Sequence, residues 1–481
     1  MNKNSIEFVQ NNRIVRIDFA ESGIRPSTTV LNYVRQNPET RGTKEGCAEG
    51  DCGACTVVIG ELDSNGNLVY KAVDSCVMFL PSLHGRQLIT VEDLAQKSHN
   101  PDNLHPVQKS MVEEHGSQCG FCTPGFVMSQ FAMFKNEVTP DRKTIVESLA
   151  GNLCRCTGYE SIFRATEKTL LNITSDHFSK NESHVKALLG EIQRRTKTIE
   201  IATKTQQYWL PMSLKEALTL RSKHPDAVIV SGSTDIAVRQ NKMFVYADEI
   251  IDISNIEEIK SISANHEFIV IGAGTILEDV KKYAEMHIKA LSEVLSHFAS
   301  LQIRNMASIG GNLCNASPVG DLIPMMFALK ANAVIQSIEG KRVVSFEEFI
   351  VGYRKSCLQS NELLVEIQIP NIPSNANVSF RKISTREHVD ISTISLATRI
   401  EYDSNNRIKE IILAFGGMAA EPKRATKVEQ LMIGKLMNNT SVEEAAGHVF
   451  EDFTPISDAR STAEYRINVA KNLIVNALLK K

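Results

Sequence analysis

Residues 44–60 read KEGCAEGDCGACTVVIG, and this stretch decides the first third of the chain. Cys47, Cys52 and Cys55 share one loop at x4 and x2 spacing, with Gly46, Gly50 and Gly53 between them; Cys76 follows. That is the plant-type spacing for a [2Fe–2S] cluster. A loop that wraps a cluster must bring backbone N–H groups close to sulfur, and glycine permits the approach and the positive φ it needs. Zinc and disulfides are the rival readings. Structural zinc favours paired knuckles of two to four residues, so three cysteines in one loop fit it less well.

A second thiolate set lies further along: Cys119 and Cys122 in SQCGFCTPGFVMSQF, and Cys154 and Cys156 in LAGNLCRCTGY. Alone, Cys119-x2-Cys122 reads equally as a zinc knuckle or a redox pair. Each pair adjoins a helical pattern: Phe126–Lys135 after the first, Thr144–Ala150 before the second and Tyr159–Leu171 after it. Two helix-flanked pairs converging make a four-thiolate pocket. Cys314 and Cys357 have no place in either pattern and read as buried structural residues.

The spacing between elements outlines several domains. Residues 4–19 alternate around an Asn11-Asn12 turn, a β-hairpin signal. Thr29–Gln36 reads as a short helix; Thr56–Ile59, Leu68–Val73 and Gln87–Thr90 read as strands. This is a β-grasp ferredoxin pattern over 1–92. A helical domain follows over 93–172, with Pro106 early in a helix. Residues 173–205 are polar and read as an exposed linker. From 206 the pattern is α+β, with strands at Val228–Val230, Ile250–Ile253, Phe268–Ala273, Val334–Ser337, Leu363–Ile369 and Ile411–Phe415, and no regular βαβ ladder. The expected boundaries are 206–375 for one domain and 376–481 for a C-terminal one.

Composition narrows the class. The net charge is −3 across 481 residues, which argues against a nucleic-acid binder; Arg194-Arg195-Thr196-Lys197 reads as a solvated run. No apolar stretch approaches the ~20 residues that span a bilayer, and the amino terminus lacks an apolar signal core. Unpaired thiols suit a reducing compartment. The expectation is a soluble, cytoplasmic protein without nucleic-acid or membrane partners. The histidines show no metal-binding spacing, and no Ser-His-Asp arrangement is legible.

Two small-residue loops stand out in the second half: Ser231-Gly232-Ser233-Thr234 after a strand, and Ala307-Ser308-Ile309-Gly310-Gly311-Asn312. Each can form a nest of N–H groups for phosphate, although glycine-rich loops are commonly plain turns. Together they suit the two phosphates of one dinucleotide. Neither is GxGxxG, so no Rossmann site is read.

QCGFCTPG and GNLCRCTGY resemble the two-cluster electron-transfer module of the xanthine dehydrogenase family of molybdenum hydroxylases. VIVSGSTDI and IRNMASIGGNLCNASPVGDLIP resemble that family's flavin domain, and LAFGGMAAEPKRAT its C-terminal subdomain. The resemblance implies two [2Fe–2S] clusters, one on Cys47, Cys52, Cys55 and Cys76 and one on Cys119, Cys122, Cys154 and Cys156, the latter nearer molybdenum, with Gln118 against a pterin. It implies FAD held by Ile229, Val230, Ser231, Gly232, Ser233, Thr234, Asp235 and Ile236, with Ser308, Gly311 and Asn312 at the pyrophosphate. Asp321 and Asn315 would serve the ribose end, Phe298 the flavin face, and Leu364 a further contact. Phe298 also reads as plain core. Of the basic pair, an ungapped match favours Arg381 over Lys382.

The family's molybdenum-binding portion is not seen in these residues. The resemblance therefore implies the small iron–sulfur/FAD subunit of a split enzyme, with a large molybdopterin-binding subunit as partner and a heterotetramer of two small and two large subunits. Electrons from purine hydroxylation would pass through both clusters to FAD and on to NAD, with no catalytic residue for hydroxylation in this chain. The acceptor, NAD or oxygen, would depend on the loop around Ser384–Asp390. Three other readings stay open: the matching subunit of an aldehyde or aromatic-heterocycle oxidoreductase, a stand-alone flavin–iron–sulfur carrier, and a protein with two structural zinc sites.

Overall fold

The protein is described by a computed structural model over residues 4–95, 103–195 and 197–479. Met1–Lys3, positions 96–102 within the expected helical domain, Thr196 of the basic run, and Lys480 and Lys481 lie outside the described residues. The chain divides into two compact units. One comprises Met1–Leu220, Asp226–Ile256 and Ala299–Ala307; the other comprises Arg221–Pro225, Glu257–Phe298 and Ser308–Lys481.

The first unit opens with the expected hairpin, β1 (Ser5–Gln10) and β2 (Arg13–Asp18). Asn11 and Asn12 both take positive φ, at 51° and 58°, as a two-residue type I′ turn requires. With β3 (Thr56–Leu62), β4 (Leu68–Asp74) and β5 (Gln87–Ile89) they form one sheet in the order β2-β1-β5-β3-β4, with β1 and β5 parallel. Successive residues of β3 point to opposite faces. Val57 and Ile59 enter one core with Phe8, Leu31 and Phe79. Val58 enters another with Tyr70, Phe126 and Phe131. The second core is closed by helix Thr123–Lys135, which is buried from Gly125 through Phe134. Its neighbours are helices Pro106–Glu113, Arg142–Leu149 and Glu160–Leu171.

The exposed-linker reading of 173–205 is corrected. His177–Arg195 is a 19-residue helix, and Ile199–Ala202 is a strand. Phe178, Val185, Leu189 and Ile192 are buried in the second core. Their spacing is one helical stripe. Polar residues on the remaining faces dominate the composition and disguise it.

A second correction concerns connectivity. Gln207–Leu210, Val228–Val230 and Glu249–Asp252 pair in parallel, with helices Leu214–Lys223 and Ile236–Met243 between them. This is a short βαβαβ unit. Two of the three strands are legible in the sequence; their parallel pairing through Glu249–Asp252 is not.

The second unit is built on antiparallel sheets. One has five strands, with Leu363–Pro370 between Phe268–Gly272 and Asn332–Ser337. Another has four, centred on Ile394–Tyr402 and Ile408–Gly416, and is covered by the C-terminal helix Ala463–Leu479. Among the described residues, no helix is long and apolar enough to cross a membrane. The architecture is the expected multidomain α+β one.

Candidate iron–sulfur and flavin sites

The first four cysteines come together in a chain of sulfurs. Cys47 lies beside the thiols of Cys52 and Cys76, and Cys76 beside Cys55. The backbone N–H groups of Glu49, Asp51 and Cys52 all donate to Cys47 Sγ, at 3.5, 3.4 and 3.4 Å. The neighbouring thiols, and then these amides, hold the Cys47 thiol well below its ordinary pKa despite burial, while Cys47 in turn pushes Cys52 and Cys76 up. A loop that stabilises negative sulfur in this way suits a thiolate-ligated cluster. Cys55 and Cys76 are buried; Cys47 and Cys52 are half-buried. Burial pushes the Asp74 carboxyl, beside Cys55, up to about 7.

The second set meets in pairs: Cys119 with Cys156, and Cys122 with Cys154. Thr157 Oγ1 lies 3.2 Å from Cys154 Sγ, and the Cys154 N–H donates to Tyr159 Oη at 2.9 Å. Cys119 and Cys156 are exposed, as are Gln118, Phe121 and Leu153. Among the described residues, no group of three or more His, Cys, Asp or Glu side chains is arranged to hold a metal ion. Sulfurs met as pairs and open chains suit a two-iron cluster better than one tetrahedral ion.

The loops carrying the two sets touch. The Leu153 N–H donates to the Cys52 carbonyl at 3.0 Å. Next to it, Asn152 is buried; its Nδ2 donates to Gly53 O at 3.0 Å and to Thr56 Oγ1 at 3.1 Å. Gly53 has φ +66°, and a Cβ there would lie 2.3 Å from Gly151 O. The junction thus closes because glycine leaves room for backbone against backbone. Asn152 is a residue the sequence reading missed; a buried asparagine between a glycine and a ligand cysteine is the signal that could have found it.

In the first unit, the loop from Ser231 leaves the carboxyl end of a parallel strand and enters helix Ile236–Met243. Ligands commonly bind at such a place in open α/β sheets. Gly232 has φ +94°, with Met306 O only 2.0 Å from where a Cβ would sit. Ser233 has φ +59° and is turned inward. Its hydroxyl donates to Val77 O at 2.6 Å and accepts from the Phe79 N–H at 3.3 Å. That hydroxyl is engaged by the strand-end segment after Cys76, so Ser233 can offer a ligand only backbone. Ser231, Gly232, Thr234 and Ile236 are half-exposed and Asp235 is exposed, whereas Val230 is buried and Ile229 half-buried.

The remaining flavin candidates fall in the second unit. Ser308 caps the short helix Ile309–Cys314 by accepting from the Gly311 N–H at 3.1 Å. Asn312 is half-buried, and Asn315 Oδ1 accepts from Arg354 at 3.1 Å. Phe298 is half-buried, and Leu364 is buried in its strand. Asp321 is buried and fully engaged: Ser392 Oγ donates to Oδ1 at 2.6 Å, and Lys382 Nζ bonds Oδ2 at 3.1 Å.

Arg381 and Lys382 face opposite ways. Arg381 is exposed and donates to the adjacent Phe380 carbonyl. Lys382 is turned in and holds Asp321, His297 O and Asp390 O. Neighbouring residues of a strand face opposite ways, so one position of register decides. Thr275, which the sequence reading did not name, follows the Gly272-Ala273-Gly274 turn and adjoins the bridge between Ile276 and Ser308. Its hydroxyl is buried with no hydrogen-bond partner. An orphaned hydroxyl beside a glycine-rich loop suits a polar ligand there.

Three family descriptions match the chain in order. Residues 90–167 match a [2Fe-2S] binding domain, 202–372 the FAD binding domain in molybdopterin dehydrogenase, and 379–481 the CO dehydrogenase flavoprotein C-terminal domain. The chain belongs to the molybdenum hydroxylases and comprises iron–sulfur and FAD-binding domains of that family. More particularly, it is 32% identical over 94% of its length to xanthine dehydrogenase/oxidase of Mus musculus, and 30% identical over 90% to xanthine dehydrogenase 1 of Arabidopsis thaliana. It spans 37% and 36% of those relatives. Among solved structures it resembles a chain of the carbon monoxide dehydrogenase of Hydrogenophaga pseudoflava, at 25% identity and TM-score 0.54, covering 57% of this chain and 96% of that one. It also resembles quinoline 2-oxidoreductase from Pseudomonas putida 86, at 25% identity and TM-score 0.52, covering 56% and 94%.

Proposed function

We propose that this chain is the electron relay of a xanthine dehydrogenase, working with a separate molybdopterin-binding chain, and that its final acceptor is NAD. The observation that carries the reading is the contact between the loops that carry the two thiolate sets. Cys119 and Cys156 lie at the surface, where a partner's redox centre can approach. Cys55, Cys76 and Cys154 are buried. The Leu153 N–H to Cys52 O hydrogen bond joins the two loops and gives a short bonded route between them. Bound clusters supply one-electron steps, and bound flavin joins those to a two-electron step. The residues of this chain supply position: the amides at Cys47 hold negative sulfur, Asn152 fixes the junction, and Lys382 fixes Asp321. FAD would be held within residues 202–372, which match the FAD binding domain. A heterotetramer and a cytoplasmic location complete the proposal.

Purification from the native source is expected to yield this chain with a larger one, carrying four irons per small chain, FAD and molybdenum, and reducing NAD with xanthine. A chain that purifies alone and free of molybdenum would sink the proposal. The likeness to quinoline 2-oxidoreductase favours a second reading, an aromatic-heterocycle oxidoreductase. Activity of the same complex on quinoline-type substrates but not on xanthine would select it.

The basic pair gives a sharper test of the flavin site. Lys382→Met leaves Asp321 without its ammonium and is expected to weaken FAD retention at least about tenfold. Arg381→Met, on the outward side of the strand, is expected to change it less than about twofold. Equal retention in both variants, measured by equilibrium dialysis, counts against an Asp321-centred site.

A further inference from the structure

The segment Ala299–Ala307 lies within the sequence matched to the FAD binding domain, yet it packs with the iron–sulfur unit. Chain before it and after it belongs to the other unit. Its side chains are spent on the cluster junction. Gln302 is fully buried, and its Nε2 donates to Ser129 Oγ at 2.9 Å and to Asn152 Oδ1 at 3.0 Å. Asn152 is the residue that bonds Gly53 and Thr56 from its other end. Ser129 itself donates to Asn152 Oδ1 at 2.7 Å.

The fit is close on both sides of the junction. A Cβ on Gly151 would lie 2.2 Å from Gln302 Oε1 and 2.5 Å from Ser300 Cβ. On the loop of the first set, a Cβ on Gly50 would lie 2.6 Å from Ile303 Cδ1. Arg304, also buried, bonds Glu147 at 3.1 Å and Ala299 O at 3.1 Å. Asn305 Nδ2 donates to Ala72 O at 2.9 Å. One short segment therefore touches the Cys47–Cys55 loop, the strand leading to Cys76, and the residues just before Cys154.

We propose that Ala299–Ala307 is a splint, with Gln302 as its positioning residue, that fixes the geometry between the two thiolate sets. The proposal rests on the relay reading: it assigns to sequence of the flavin domain the task of setting how the two clusters face one another. The physical reason is that Asn152 has one carbonyl oxygen and one amide nitrogen. Its nitrogen must face Gly53 and Thr56, and it does so only while Gln302 and Ser129 occupy its oxygen. Without Gln302 the amide loses one of two donors and is free to turn.

The test uses the full chain and Gln302→Met, which keeps volume and removes both hydrogen bonds. Iron content is measured first, then the low-temperature EPR spectrum after dithionite reduction, and amide hydrogen exchange of peptides covering 149–155. The expected result is full iron, an altered magnetic interaction between the two reduced clusters, and exchange at Leu153 faster by about tenfold or more. Unchanged magnetic interaction and unchanged exchange with full iron overturn the proposal. Should Q302M not accumulate, Asn305→Ala on the same segment carries the test, with the same direction expected and no change again overturning it. A parent chain without iron would instead sink the iron–sulfur reading, a separate outcome.

Discussion

Gly53→Ala is expected to cost the iron–sulfur unit about 2–5 kcal/mol and to strip iron from both thiolate sets. The position combines two demands. Its φ of +66° disfavours any side chain, and the added Cβ would meet Gly151 O at 2.3 Å and Asn152 Nδ2 at 2.4 Å. From the other side, a Cβ on Gly125 would lie 2.2 Å from Gly53 O. Three backbone segments thus meet at van der Waals contact, and none can withdraw without moving a ligand cysteine. Gly66→Ala is the control. It has φ +75° but open space around it, so it should carry only the strain, about 1–2 kcal/mol. Urea unfolding followed by the fluorescence of Trp209, the chain's one tryptophan and a buried residue of this unit, compares the two. Equal midpoints would show that the collision has no weight.

Acid should loosen the same unit through His84. This imidazole is buried, and its Nδ1 accepts from the Glu7 N–H at 3.0 Å. Burial, and then the charges of Arg195 and Arg86, lower its pKa to about 4. The unfolded chain has a histidine pKa near 6.5. A depressed folded pKa means the unfolded state takes up the proton first. The contribution is therefore complete above about pH 6.5 and is lost as pH falls toward 4, amounting to about 3 kcal/mol. Protonation would also turn the Nδ1 acceptor into a donor facing the Glu7 N–H. Trp209-detected melts at pH 7 and 4.5 should show that loss in the parent and much less of it in His84→Gln. Parallel pH dependence in both proteins would remove His84 from the account.

The contrast between what the residues declare and what they conceal follows the range of the interactions. Cysteine spacing within the Cys47–Cys55 loop is local chemistry and is legible. So are the Asn11-Asn12 turn and the helix after Pro124, whose signals lie within a few residues. The helix His177–Arg195 was concealed because its buried stripe of Phe178, Val185, Leu189 and Ile192 is sparse. Lys382 was concealed because its inward side depends on pairing with Ser395 in the next strand. Ser233 looked available to phosphate until Val77, far away in sequence, took its hydroxyl. Gln302 reads as an ordinary polar residue; its partners Ser129 and Asn152 are 173 and 150 positions away.

The return of Ala299–Ala307 to the first unit has a consequence for biogenesis. The last ligand, Cys156, leaves the ribosome long before Gln302 does. At about 5–20 residues per second, the nascent chain carries all eight cysteines for on the order of ten seconds with Asn152 lacking one of its donors. Metal loaded during that interval would meet a junction that still lacks Gln302. Translation past residue 307 then closes it. A transcript truncated between those points would yield every ligand and no finished junction.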